Sequence, residues 1–198
     1  VTLVVSMIKK LVSWTEQFAE HKKAKLILFV VAFAESSFFL VPPDVLIIAI
    51  LSHHIKKAWI RIASITTIGS VLGGLLGYVI GYYFYQYIGA PIVHFYGIEE
   101  QLKIVGEKFN ENAFLSILIA AFTPIPYKVF TIGAGLFSLN LITFTVASIV
   151  GRGARFFLVA YISDKYGERA KQIILDKGDK ILWAVGIVGF IAVYLLSK

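Results

Sequence analysis

The stretch AAFTPIPYKVFTIGAG, residues 120–135, decides how this chain folds. Its flanks are apolar enough for the middle of a bilayer, yet it holds Pro124, Pro126, Lys128, Gly133 and Gly135. Proline removes a backbone donor and pushes the residue before it out of helical geometry, so a run that would otherwise cross as one helix is broken here. Broken backbone at membrane depth is tolerated only where protein or water covers its polar groups. The break therefore belongs inside the molecule, and the glycines permit the turn and close packing around it.

The rest of the chain has the same character. Of its 198 residues, 58% are hydrophobic and 16% charged, far to the apolar side of a soluble domain. Runs almost free of charge at 26–52, 62–87, 113–137 and 181–196 approach or exceed the roughly 20 residues that cross a hydrocarbon core. They leave no room for a separate soluble domain, so residues 1–198 read as one integral, all-α, polytopic membrane domain. The net charge of +7 comes from basic residues flanking the apolar runs, where they set topology and meet anionic headgroups; nucleic acid is not the expected partner. Without cysteine there are no disulfides, thiolate metal sites or cysteine nucleophiles. The first residues show no signal-peptide pattern.

Within residues 1–22, Leu3, Met7, Leu11, Trp14 and Phe18 recur at helical spacing with Lys9, Lys10, Glu16 and Gln17 between them. This segment reads as an amphipathic helix on the membrane surface. The run 26–52 contains FAESSFFLVPPDVLI, residues 33–47, with Glu35, Pro42, Pro43 and Asp44. Lysines 22, 23 and 25 precede this run, and Lys56, Lys57 and Arg61 follow it. Both ends are thus expected inside, which makes the run a re-entrant hairpin broken at Pro42 and Pro43. The run 62–87 contains GSVLGGLLGYVIGYYF, residues 69–84, and crosses once. Its Gly69, Gly73, Gly77 and Gly81 lie on one face and invite close packing, within the chain or between subunits of a homo-oligomer.

An acidic segment with Glu99, Glu100, Glu107 and Glu111 then reads as an outside loop. The helix 139–162 leads to a loop with Lys165, Arg169, Lys171, Lys177 and Lys180 that suits the inside. The run 113–137 must therefore enter from outside and return, as a second re-entrant hairpin opposed to the first. A last helix, 181–196, takes the terminus out. Paired proline-broken segments in two halves of opposite orientation form an inverted repeat and point to a substrate site near the midplane.

Glu35, Asp44, Lys128, Arg152 and Arg155 fall in apolar surroundings, where each costs on the order of 2.5–3.5 kcal/mol at a helix centre. Two readings fit them. In one, acids and bases neutralise each other and hold the hairpins together. In the other, the cations and helix ends take a phosphate while Glu35 or Asp44 exchanges protons. Arg152 and Arg155 share a helix face and offer forked contacts to phosphate, unless they snorkel to the interface. Tyr82, Tyr83, Tyr85 and Tyr87 read as an aromatic belt, and Asn140 as the start of a helix. His53 and His54, beside two lysines and without a third ligand nearby, read as an interfacial basic cluster rather than a metal site. No cofactor is expected, and the absence of a catalytic triad, paired histidines or a carboxylate cluster argues against an enzyme.

The ordered set of FAESSFFLVPPDVLI, GSVLGGLLGYVIGYYF and FTPIPYKVFTIGAGLFSLNLITF (residues 122–144) resembles the DedA superfamily, also called the SNARE-associated Golgi protein or VTT-domain family, most closely its bacterial YqaA-like branch. The resemblance implies two embedded hairpins facing each other and proton-dependent lipid transport. The protein would be a flippase or scramblase that moves a phospholipid or polyprenyl phosphate between leaflets of a bacterial cytoplasmic (inner) membrane. Glu35 and Asp44 look like the family's acidic residues, and Lys128 like the second basic residue of its second-hairpin motif. Thr123 stands where the motif's first arginine is expected and Lys128 where the second is, so the forked phosphate contact is lost at both positions; either Arg152 or Arg155 compensates, or the substrate differs from the polyprenyl phosphate handled by arginine-bearing relatives. A proton-coupled transporter of a small solute or ion is the alternative reading.

Overall fold

A computed structural model describes residues 23–37, 42–53, 58–123 and 125–167. The surface helix expected in residues 1–22, the final helix at 181–196, His54, Pro124 and the basic residues beyond Lys165 lie outside the described residues. Among the described residues every regular element is helical.

The first apolar run is two helices, α1 (Ala24–Ser37) and α2 (Pro43–His53). Proline opens α2 at its first helical position, where a missing N–H leaves no intrahelical bond unmade. The second broken run is likewise two helices, α6 (Ala113–Phe122) and α7 (Tyr127–Leu136), separated by Thr123, whose backbone is extended, and by Pro126, which caps α7. At 1.5 Å per residue, 14 residues reach about 21 Å and 10 residues about 15 Å, short of a hydrocarbon core of about 30 Å. Each pair of short helices is in contact across its break, and α1 also touches α7.

Between the broken runs lies α3 (Trp59–Phe84). It runs without interruption through a π-helical turn, Tyr85–Gly89, into α4 (Ala90–Tyr96), giving 38 residues of helix. The expected crossing at 62–87 is therefore extended at both ends. Gly97, at φ 64°, adopts the left-handed conformation that stops it. The acidic segment expected as a loop is instead a helix, α5 (Glu99–Glu111). Glu99 and Glu100 in its first turn and Lys108 in its last match the helix dipole, and charges read as a solvated loop are the outer face of an amphipathic helix. A second long apolar helix, α8 (Leu141–Gly167), begins two residues later than expected and continues past residue 162. Asn140 caps it: its Oδ1 accepts from the backbone N–H groups of Ile142 and Thr143, both at 3.0 Å.

The glycine row of α3 is spent within the chain. A Cβ at Gly69 would lie 2.6 Å from the carbonyl oxygen of Phe29, and one at Gly73 2.1 Å from that of Phe33, so the first half of the row seats α1. Further along, a Cβ at Gly77 would meet Thr131 Oγ1 at 2.3 Å and one at Gly81 the Ile132 carbonyl oxygen at 2.0 Å, seating α7. Contacts this close between helix backbones are what small residues permit in membranes, where packing replaces the hydrophobic drive. One face of one helix thereby holds a member of each broken pair.

Two apolar clusters result. One joins Leu28, Leu46, Ile47, Ile62 and Phe156 from α1, α2, α3 and α8; the other joins Ile117, Tyr127, Ala134, Phe144 and Ala147 from α6, α7 and α8. The outward faces are also apolar: Val30, Ile68, Leu72, Leu115, Ile142, Val150 and Leu158 are exposed. A chain with apolar residues both inside and outside is suited to lipid rather than water.

Candidate functional site

Along α8, Phe144 and Ala147 belong to one apolar cluster, Phe156 and Ala160 to the other. Arg152 falls between them, near the middle of the helix, and Arg155 lies one turn on. Charges this deep require partners. Both arginines find one, and in each case the acid comes from the first broken run.

Arg152 ion-pairs with Glu35 on α1 through Nη2. The same Nη2 reaches Ser36 Oγ at 3.3 Å, and Nε donates to Ser70 Oγ on α3 at 2.6 Å. Ser36 donates to Glu35 Oε2 at 3.2 Å and lies 2.7 Å from Ser70 Oγ. With its own proton committed to Glu35, Ser36 accepts from Ser70. The bonds close into a ring in which Arg152 donates to Ser70, Ser70 to Ser36, Ser36 to Glu35, and Arg152 to Glu35. The guanidinium also lies over the rings of Tyr127 and Phe156, 4.9 and 4.6 Å from their centroids. Tyr127 is itself fixed, its hydroxyl donating to Ser148 Oγ, which donates onward to the Phe144 carbonyl. Only 3% of the Arg152 side chain is exposed, so its guanidinium is held within the protein.

Arg155 pairs with Asp44 in the first turn of α2. Nη2 donates to Oδ2 at 2.6 Å and Nε to Oδ1 at 3.5 Å, a two-point contact along one edge of the guanidinium. Nη1 donates to the backbone carbonyl of Thr123 at 2.6 Å. One guanidinium thus spans both breaks, since Asp44 follows the first and Thr123 opens the second. The Thr123 hydroxyl turns back to the Ile119 carbonyl at 2.7 Å, so its backbone rather than its side chain joins the site. The Arg155 side chain is 20% exposed and that of Asp44 18%.

Two further bonds tie the layers together. Ser37 Oγ shares its proton between the Phe33 carbonyl of its own helix at 2.7 Å and the Gly73 carbonyl at 2.9 Å, and Thr131 Oγ1 on α7 between the Lys128 carbonyl at 3.0 Å and the Ser36 carbonyl at 3.3 Å. Among the described residues no buried side-chain nitrogen or oxygen lacks a partner. Of the residues singled out in the sequence, Glu35, Asp44, Thr123, Arg152 and Arg155 come together. Lys128 lies half-buried in the first turn of α7, beside Tyr127. Ser36, Ser70, Tyr127, Thr131 and Ser148 were not anticipated. Their signal is a hydroxyl inside an apolar run, next to Glu35 in one case and to the glycine row in another.

Two long apolar helices, each preceded by a proline-broken run, and a partly buried set of ion pairs fit an α-helical integral membrane protein. Residues 41–165 match the VTT domain, and the chain belongs to that family, the DedA and SNARE-associated proteins. The chain is 34% identical over 184 residues to an uncharacterised protein of Haemophilus influenzae, covering 93% of this chain and 95% of the relative. An uncharacterised protein of Histophilus somni is similar to the same extent. No solved structure matches the chain.

Proposed function

We propose that this protein moves a phosphate-bearing lipid, a phospholipid or polyprenyl phosphate, between leaflets of a bacterial cytoplasmic membrane, as a proton-coupled flippase or scramblase. The observation that carries the reading is Arg155, a partly exposed guanidinium near mid-helix that bridges Asp44 after one proline break and Thr123 at the other. Forked guanidinium donors suit phosphate, and intramembrane charges mark substrate pathways. Each helix flanking the breaks is too short to cross, which supports two re-entrant hairpins in an inverted repeat. Lys128 adds a second cation, and Glu35 and Asp44 supply carboxylates able to take up protons.

The test is transbilayer movement of labelled lipids in liposomes holding the purified protein. A phospholipid is compared with a polyprenyl phosphate, with and without a pH gradient, alongside Lys128→Ala and Arg155→Ala. Movement that is lost in the variants is expected. If folded protein moves neither lipid but carries ions or small solutes across sealed vesicles, lipid transport is wrong and proton-coupled solute transport takes its place.

A further inference from the structure

One turn of α8 separates two guanidiniums that are held in different ways. Arg152 is closed in by a carboxylate, two hydroxyls and two aromatic rings, and 3% exposed. An arriving anion would have to displace all of them. Arg155 presents one edge to a single carboxylate and another to a backbone carbonyl, and is 20% exposed. A carboxylate lying along Nε and Nη2 occupies the place a phosphate takes on the same fork. The Thr123 carbonyl holds Nη1 independently of Asp44, so the fork stays aimed when the carboxylate leaves. The two acids are equally exposed, 18% each, so the pairs differ at the guanidiniums, 3% against 20%, and Asp44 sits in the first turn of its own helix, where the dipole favours a negative charge once it leaves Arg155.

We infer that Asp44 is an internal stand-in for the substrate's phosphate, exchanged against it on Arg155, while the Glu35–Arg152 pair stays closed. The inference rests on the phosphate reading above and assigns the roles within it. Asp44 is then a competitor of the substrate, and Arg152 a positioning residue that fixes α8 so that Arg155 meets both breaks.

The experiment measures binding of dodecyl phosphate and of inorganic phosphate to the full chain in detergent, with thermal unfolding of each variant as a fold control. Asp44→Asn is expected to tighten dodecyl phosphate binding about tenfold by removing the competitor, and Arg155→Lys to weaken it about tenfold or more by removing the fork. Dodecyl phosphate binding more tightly than inorganic phosphate identifies a lipid headgroup; equal affinities identify free phosphate as the exchanging anion and overturn the lipid reading alone. A second readout uses the wild-type chain. Dodecyl phosphate should raise carbodiimide labelling of Asp44 and leave that of Glu35 unchanged. Phosphate binding with Asp44→Asn no tighter than wild type, or Asp44 labelling unchanged or reduced, overturns the exchange and leaves the phosphate reading standing. Absence of phosphate binding in wild type and every folded variant overturns both.

Discussion

Glu35–Arg152 and Asp44–Arg155 are the same chemistry on the same helix, three residues apart, and they differ in what surrounds them. The Arg152 guanidinium is enclosed by Ser36, Ser70 and two aromatic rings, that of Arg155 is bounded by one carbonyl and partly open, and the two carboxylates are equally exposed. Buried ion pairs gain little net stability, but removing one partner from an enclosed pair leaves an uncompensated charge. Enclosure therefore makes a pair structural, and access makes it exchangeable. The sharpest break of this comparison is Glu35→Ala, which strands Arg152 and is expected to cost about 3–5 kcal/mol. Asp44→Ala should cost clearly less, because Arg155 keeps the Thr123 carbonyl and some exposure. Denaturant unfolding in mixed micelles compares the two, and equal losses would end the distinction.

Next in size is Ser70→Ala, which removes the Arg152 Nε acceptor and opens the ring. Hydrogen bonds to charged groups are worth about 1.5–3 kcal/mol, and that is the loss expected in the same unfolding measurement. The third test acts from outside the ring. At Gly73 an added Cβ would lie 2.1 Å from the Phe33 carbonyl, so Gly73→Ala must part α1 from α3 and with them Ser36 from Ser70. Overpacking of this kind costs about 1–3 kcal/mol. Gly153→Ala, whose Cβ meets nothing closer than 3.8 Å, should be neutral or slightly stabilising and serves as the control.

The smallest effect belongs to an exposed pair far from the arginines. His94 Nδ1 donates to Glu99 Oε1 at 2.8 Å, and Glu99's own backbone N–H together with His94 holds that carboxyl below the usual carboxylate range. A depressed folded-state value means that its contribution is present above the unfolded value and lost as pH falls through the folded one. Glu99→Gln should flatten the acid side of the stability profile slightly, without altering the behaviour of either buried pair.

The breaks were legible in the sequence because proline acts locally: Pro43 opens α2, and Pro126 caps α7. The charges were legible as a set, since any ionisable residue in an apolar run demands explanation. Their pairing was not. Glu35 and Arg152 are separated by most of the chain, and which acid meets which base depends on how the glycine row of α3 seats α1 and α7. The choice between packing within the chain and between subunits was equally open until the backbones were in place. The hydroxyls of Ser36 and Ser70 look inert beside glutamate and glycine, and become essential only once a guanidinium lies between them. Helix extents failed where charge masked periodicity, as in Glu99–Glu111.

The 38 residues from Trp59 to Tyr96 also measure something. At 1.5 Å each they reach about 57 Å, against about 30 Å of hydrocarbon and about 45 Å with headgroups. The π-helical turn at Tyr85–Gly89 comes about 39 Å from Trp59, and from there to Tyr96 no residue is buried. The extra residue in that turn rotates all that follows out of phase with the glycine row. The helix thus acts as a gauge rod with a collar, anchored among its neighbours below and standing clear above. A chain shortened before the π-helical turn would therefore keep every seat that α1 and α7 take on the glycine row, and the paired arginines with them.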